Sequence, residues 1–236
     1  MRVAAISDIH GNLPALEAVL ADIERESIDG IVVVGDIVSG PWPAEVFDRV
    51  KEVGALVVRG NADRLTLDGG EGAIGEWSAQ RLGDRRETVA AWPLTVELAI
   101  EGLGNVLACH ATPTSDEPIY TRVTPDEDLA EVLAAVDADV VLCGHTHIQY
   151  DRRLSSGLRI VNPGSVGMPY EGRRGAFWAV LGPDVELRCT EYDVEAAVVA
   201  MRGRGAPDVE AQLIRYLLEP PDPVATTEYF ESFRAA

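Results

Sequence analysis

Val3-Ala4-Ala5-Ile6-Ser7-Asp8-Ile9-His10 opens the chain with an apolar run that leads straight into polar residues of metal-ligand type. The same form returns at Ile31-Val32-Val33-Val34-Gly35-Asp36 and at Ala55-Leu56-Val57-Val58-Arg59-Gly60-Asn61. Short apolar runs bounded by glycine and acidic residues read as buried strands. Between the first two, Asn12 is an N-cap, Pro14 sits in the first turn, and Leu13, Leu16, Leu20 and Ile23 recur at helical spacing through Arg25. A second helix, Ala44 to Val53, follows Pro43. Two βαβ units feeding a largely parallel sheet result. Ligands of such sheets gather outside the carboxyl ends of the strands, so Asp8, Asp36 and Asn61 should meet in one crevice.

Beyond this core the pattern changes. Glu71 to Trp92 is helical but interrupted by glycine, and Leu94 to Ile100 with Val106 to Cys109 reads as a hairpin around Gly102-Leu103-Gly104. An amphipathic helix, Pro125 to Val136, leads into a strand from Asp139 to Cys143. Strand-like segments at Ile148–Leu154, Leu158–Val161, Ala176–Leu181 and Val185–Glu191 should supply antiparallel strands to a second sheet. After Asp193 come helical patterns at Val194–Met201 and Val209–Leu218, then a tail to Ala236 carrying Tyr229, Phe230 and Phe233 outside any core pattern. The expected organisation is a domain over 1–191 and a C-terminal helical extension and tail, 192–236, packed on it. A homo-oligomer formed through that tail is the other use for its aromatics.

The 236 residues carry a formal net charge of -19, which opposes binding to a nucleic acid duplex because such binding draws on Lys and Arg contacts to phosphate. A phosphate-bearing substrate must then be held by something other than a basic surface. No apolar stretch approaches the ~20 residues of a membrane span, and the start does not read as a signal peptide, so a cytoplasmic protein without membrane attachment is expected. Cys109, Cys143 and Cys189 are odd in number and widely spaced, and read as small buried strand residues.

All four histidines of the chain fall at candidate strand ends: His10 beside Asp8, His110 after Leu107-Ala108-Cys109, and the pair His145 and His147 after Leu142. On an extended chain, residues two apart point to one side, so Asp8 with His10, and His145 with His147, can each offer two ligands to one site. Asp8, His10, Asp36, Asn61, His110, His145 and His147 form a mixed oxygen and nitrogen set without thiolate. That set suits manganese, iron, zinc, cobalt or nickel, with manganese favoured, better than calcium or magnesium. It exceeds the needs of one tetrahedral ion, and two ions sharing a carboxylate would use it all.

In order and spacing, Asp8-Ile9-His10, Gly35-Asp36, Gly60-Asn61-Ala62-Asp63, His110 and Gly144-His145-Thr146-His147 resemble the motifs of calcineurin-like metallophosphoesterases. Asn162-Pro163-Gly164-Ser165 resembles the turn after the last histidine pair in the small prokaryotic phosphodiesterase branch. The resemblance implies an α/β fold, a four-layer α/β/β/α sandwich with two mixed β-sheets. It assigns Asp8, His10, Asp36 and His147 to one metal, and Asp36, Asn61, His110 and His145 to the other, with Asp36 bridging. It also marks Asp36, Asn61 and His110 as catalytic, in a reaction where a metal-bridging hydroxide attacks a small phosphate ester.

Many members of that family have histidine where this chain has Ala62, and that histidine protonates the leaving group; the difference marks a branch and a substrate class. Asp63 and Arg64 form either a salt-bridged loop or a part of substrate handling. Trp42, Tyr120 and Arg122 either line the cleft or pack in loops. Phosphodiester hydrolysis is the leading function. Dinucleoside polyphosphate hydrolysis and protein dephosphorylation stay open, as does a metal-binding scaffold for protein interactions like a retromer subunit of this fold. Thiol catalysis by Cys109 or Cys143 beside a histidine has suitable residue types, but neighbours in a strand face opposite ways, which should turn Cys109 from His110.

Overall fold

A computed structural model describes residues 1–70 and 72–234. Glu71, where the interrupted helical pattern was expected to begin, and the last two residues of the tail, Ala235 and Ala236, lie outside the described residues.

The chain runs β1 (Val3–Ile6), α1 (Leu13–Glu24), β2 (Gly30–Val34), α2 (Pro43–Glu52), β3 (Leu56–Val58), α3 (Asn61–Asp68), α4 (Gly72–Leu82) and α5 (Arg86–Ala90). The hairpin β4 (Thr95–Ile100) and β5 (Gly104–Cys109) follows, then α6 (Asp126–Val132), β6 (Val140–Leu142), β7 (Tyr150–Arg153), β8 (Arg159–Asn162), β9 (Ala176–Leu181) and β10 (Val185–Thr190). The chain closes with α7 (Val194–Arg204), a π-helical turn (Glu210–Ile214), α8 (Arg215–Leu218) and α9 (Pro223–Arg234). Asn12 caps α1 as expected, its side chain accepting from the Ala15 N–H.

Two five-stranded mixed sheets form, ordered β10-β9-β1-β2-β3 and β4-β5-β6-β8-β7. Alternation along β1 decides the layers: Ala4 and Ile6 join Leu16, Leu20, Val46 and Met201 under the helices. Val3 and Ala5 instead meet Val106, Ala108, Val140 and Leu142 between the sheets. The outer face of the second sheet is covered by Leu129 and Leu133 at α6, packed on Val141 and Ile160. Helices, sheet, sheet and helix make the four-layer sandwich. Each large aliphatic side chain buried this way contributes about 1.5–3 kcal/mol of transfer free energy.

The topology corrects one expectation. β9 and β10 belong to the first sheet, with β9 antiparallel to β1, and β6 lies parallel to both β5 and β8. Every residue of β9 is buried, and only an inner place, covered on both faces, suits such a strand. Helix α6 is shorter than its sequence pattern, and two helices were not foreseen, α3 and α9. Neither presents a continuous apolar stripe: α3 buries Ala62, Asp63 and Thr66, and α9 fully buries only Thr227. Among the described residues no helix is long and apolar enough to cross a membrane.

Candidate metal centre

The seven residues singled out in the sequence converge at one end of the two sheets. Loop-to-loop hydrogen bonds carry the strand pairing past the strand ends: Asp8 N–H donates to the Gly35 carbonyl (3.0 Å), His10 N–H to Asp36 (2.9 Å) and Gly144 N–H to His110 (2.9 Å). From the other side, Ser165 Oγ donates to the Asp8 carbonyl at 2.7 Å, and Asn162 Nδ2 to the Gly144 carbonyl at 2.6 Å. The Asn162-Pro163-Gly164-Ser165 turn thus braces both ligand loops at once.

The histidine pairs do not meet through extended backbone. Asp8, His10, Asp36, His145 and His147 all have φ between 46° and 70°, and Asp208 is the sole other non-glycine residue with positive φ among the described residues. Left-handed backbone outside glycine costs free energy and gathers where function over-determines geometry. Left-handed backbone, not an extended chain, therefore sets how Asp8 and His10, and His145 and His147, are presented. Close approach adds a second constraint: a Cβ on Gly60 would sit 2.1 Å from Asp36 Oδ1, and one on Gly35 would sit 2.5 Å from His110 Nδ1.

Two groups of donor atoms result, Asp8, His10, Asp36 and His147 in one and Asp36, His110 and His145 in the other, with atoms within 4.8 Å of one another in each. Asn61 joins the second group, its Oδ1 lying 3.0 Å from His110 Nε2. The imidazole orientations are set from behind. His110 Nδ1 donates to the Val34 carbonyl (2.7 Å) and His147 Nδ1 to the Met168 carbonyl (2.6 Å), which leaves each Nε2 facing the cluster. His145 is turned the other way: its Nε2 donates to the Glu117 carbonyl at 3.0 Å, which leaves Nδ1 as the nitrogen available to a cation.

Asp8 is fully buried and Asp36 is 3% exposed. Burial opposes their ionisation, yet His147 beside Asp8 and His110 beside Asp36 hold both carboxyls below their usual range. Burial likewise opposes charge on His110, but Asp36 raises it to about 10, and Asp8 raises His147. Burial, with His147 beside His10 and His110 beside His145, pushes His10 and His145 down to about 4. His10 and His147 bring their Nε2 atoms within 3.2 Å. Two buried carboxylates, converging imidazole nitrogens and an amide oxygen form an environment that fits divalent cations.

A family model for the calcineurin-like phosphoesterase superfamily domain matches residues 1–182. The chain belongs to that superfamily. An uncharacterized protein of Methanocaldococcus jannaschii is similar to it at 31% identity over 224 residues, 83% of this chain and 89% of that relative. A metallophosphoesterase from Sphaerobacter thermophilus superposes with a TM-score of 0.72 at 27% identity, covering 91% of this chain and 98% of the other. The phosphodiesterase YfcE of Escherichia coli is 36% identical over 74 residues, which span 27% of this chain and 40% of YfcE. Its similarity to YfcE extends over that segment alone, and the superfamily membership makes the chain a metal-dependent phosphoester hydrolase.

The cleft of this calcineurin-like phosphoesterase encloses about 250 Å³. It is lined by His10, Asp36, Asn61, His145 and His147 and also by Ile74, Met168, Tyr170, Leu213 and Phe230. Trp42, Tyr120 and Arg122 do not line it. Trp42 precedes α2 and packs into the first core, Tyr120 lines a narrow crevice behind His110 and His145, and the Arg122 carbonyl accepts from Arg152. Arg64 is the salt-bridged member of its loop, reaching Asp116 at 3.0 Å and Glu117 at 2.7 Å.

Asp63 turned out differently. It is fully buried and accepts from the N–H groups of Ile37 (2.8 Å), Val38 (3.0 Å) and Gly60 (3.0 Å), tying the Asp36 loop to the start of α3. Burial, reinforced by Asp36, pushes its carboxyl up to about 7. An acid three residues into a helix after glycine is a capping signal, and that signal marks Asp63. Tyr170 was also missed; its ring stacks on His147, centroids 4.6 Å apart at 21°. Cys109 lies in the outer core with its thiol pushed well up by burial, so it faces away from His110 and stays un-ionised.

Proposed function

We propose that the protein is a phosphodiesterase that works with two divalent transition-metal ions, manganese being favoured, on small phosphodiesters. The observation that carries this reading is the membership of Asp36 in both donor groups. Asp8, His10 and His147 would hold one ion with Asp36; Asn61, His110 and His145 would hold the other. Bound there, such a pair supplies Lewis-acid stabilisation of the phosphoryl oxygens and a nucleophile derived from water at neutral pH.

The chain's own residues do the positioning. Asp36, Asn61 and His110 would take the catalytic positions, Asn61 with an amide suited to a phosphate oxygen. The apolar residues of the lining would limit water there. Ala62, whose N–H donates to Asp36 Oδ1 at 2.8 Å, orients the carboxylate shared by the two donor groups and offers no proton from its side chain to a leaving oxygen. Diesters whose leaving group departs as a stable anion are favoured accordingly.

Residues 1–191 would form the phosphoesterase domain and 192–236 an extension packed on it. Contacts of α9 support this, with Glu231 accepting from Thr121 and Thr124 and Arg234 reaching Asp128 at 2.6 Å. Elemental analysis after manganese loading, paired with hydrolysis of bis-p-nitrophenyl phosphate, tests the main proposal. About two ions per chain and metal-dependent turnover are expected. Saturation at one ion would overturn the dinuclear reading, and absence of turnover with any of the five metals would overturn the phosphodiesterase.

A further inference from the structure

Part of the cleft lining is unlike the donor groups in chemistry. Beside them the lining includes Ile74, Met168, Tyr170, Leu213 and Phe230, and among the described lining residues there is neither lysine nor arginine. Tyr170 lies nearly parallel to His147, and the ring of Phe230 lies 6.3 Å from that of Tyr170. Leu213 enters with Gln212 from the π-helical turn Glu210–Ile214, a form of helix frequent at functional sites. Leu213 and Phe230 both lie beyond residues 1–182, the part that the family model matches.

A polyphosphate or a phosphopeptide carries several negative charges, and this lining gives them no cationic side chain. A monoanion meets no such difficulty. A flat ring matches the aromatic part of the lining, Tyr170 and Phe230, because aromatic rings pack on one another and exclude water. Resting on the phosphodiesterase reading above, we propose that the substrate is a monoanionic phosphodiester with an aromatic ring on one ester arm, seated against Tyr170 and Phe230. The donor residues then select the phosphoryl group, and Tyr170 together with Phe230 of the C-terminal extension selects what is attached to it.

The test is calorimetric titration of the manganese-loaded full-length protein with diphenyl phosphate and with dibutyl phosphate. Both are monoanions with comparable apolar bulk, and only one has flat arms. Diphenyl phosphate binds at least ~10-fold more tightly if one ring stacks. Phe230→Ala lowers that ratio by roughly 10-fold, and Phe230→Leu, which keeps apolar bulk in α9, also lowers it. A ratio near one in the wild-type protein, or a ratio that neither variant changes, overturns the proposal. The same samples are assayed on bis-p-nitrophenyl phosphate. Hydrolysis without a ring preference sinks this inference alone, whereas a ring preference without hydrolysis sinks the phosphodiesterase reading and leaves the ring seat standing.

Discussion

Asp8, His10 and Asp36 stand on loops whose backbones are hydrogen-bonded to one another, whereas Leu213 and Phe230, which line the same cleft, are placed by side-chain packing of helical segments. The first region keeps five candidate ligand residues in left-handed backbone, each at a cost on the order of 1 kcal/mol or more. The second has no such residue. The difference reflects tolerance. Metal coordination accepts errors of only about 0.2 Å, so its frame is over-determined and strained. A wall for a flat apolar group needs only shape.

Substitutions can break or sharpen that contrast. The largest effect is expected from Asp36→Asn, which removes the shared charge from both donor groups. Its kcat/KM on bis-p-nitrophenyl phosphate should fall by more than about 10³-fold, beyond the usual loss of a single oxyanion donor. Activity within tenfold of wild type would remove Asp36 from its assigned place. Gly60→Ala comes next. Gly60 has ordinary φ of -95°, so the change acts through space alone, driving a methyl group towards Asp36 Oδ1 at 2.1 Å. Metal affinity should drop roughly 10–100-fold, read by titration with manganese; unchanged affinity would show that the loop frame yields more easily than its contacts imply. Cys109→Ser should affect the chemistry least, with activity within about twofold of wild type and a stability loss of about 1–3 kcal/mol from burying a hydroxyl in the outer core. Urea denaturation and the diester assay separate the two, and lost activity at wild-type stability would revive thiol catalysis.

Strand β1, helix α1 and the places of all seven ligand candidates were legible because each rests on local pattern: an apolar run, a cap, a polar residue at a strand end. The placement of β9 was not, since an all-apolar strand announces burial on both faces but not which strand it will join. Helix α3 begins on Asn61 itself, where the ligand motif masks the helical signal, and Asp63 holds its loop through backbone N–H groups that no side-chain pattern reveals. Phe230 was visible as an aromatic without a core partner. Its position over the cleft depends on the whole C-terminal path, including contacts to Thr121, Thr124 and Asp128 made through Glu231 and Arg234.

Asp36 belongs to both donor groups, and this makes their occupancies linked variables. An ion in one group would change the charge and the orientation that the carboxylate presents to the other. By reciprocity, whatever factor the first ion imposes on the affinity of the second, the second imposes on the first. A binding isotherm for metal would then depart from the sum of two independent hyperbolas, and the size of that departure would report the coupling free energy transmitted through one carboxylate.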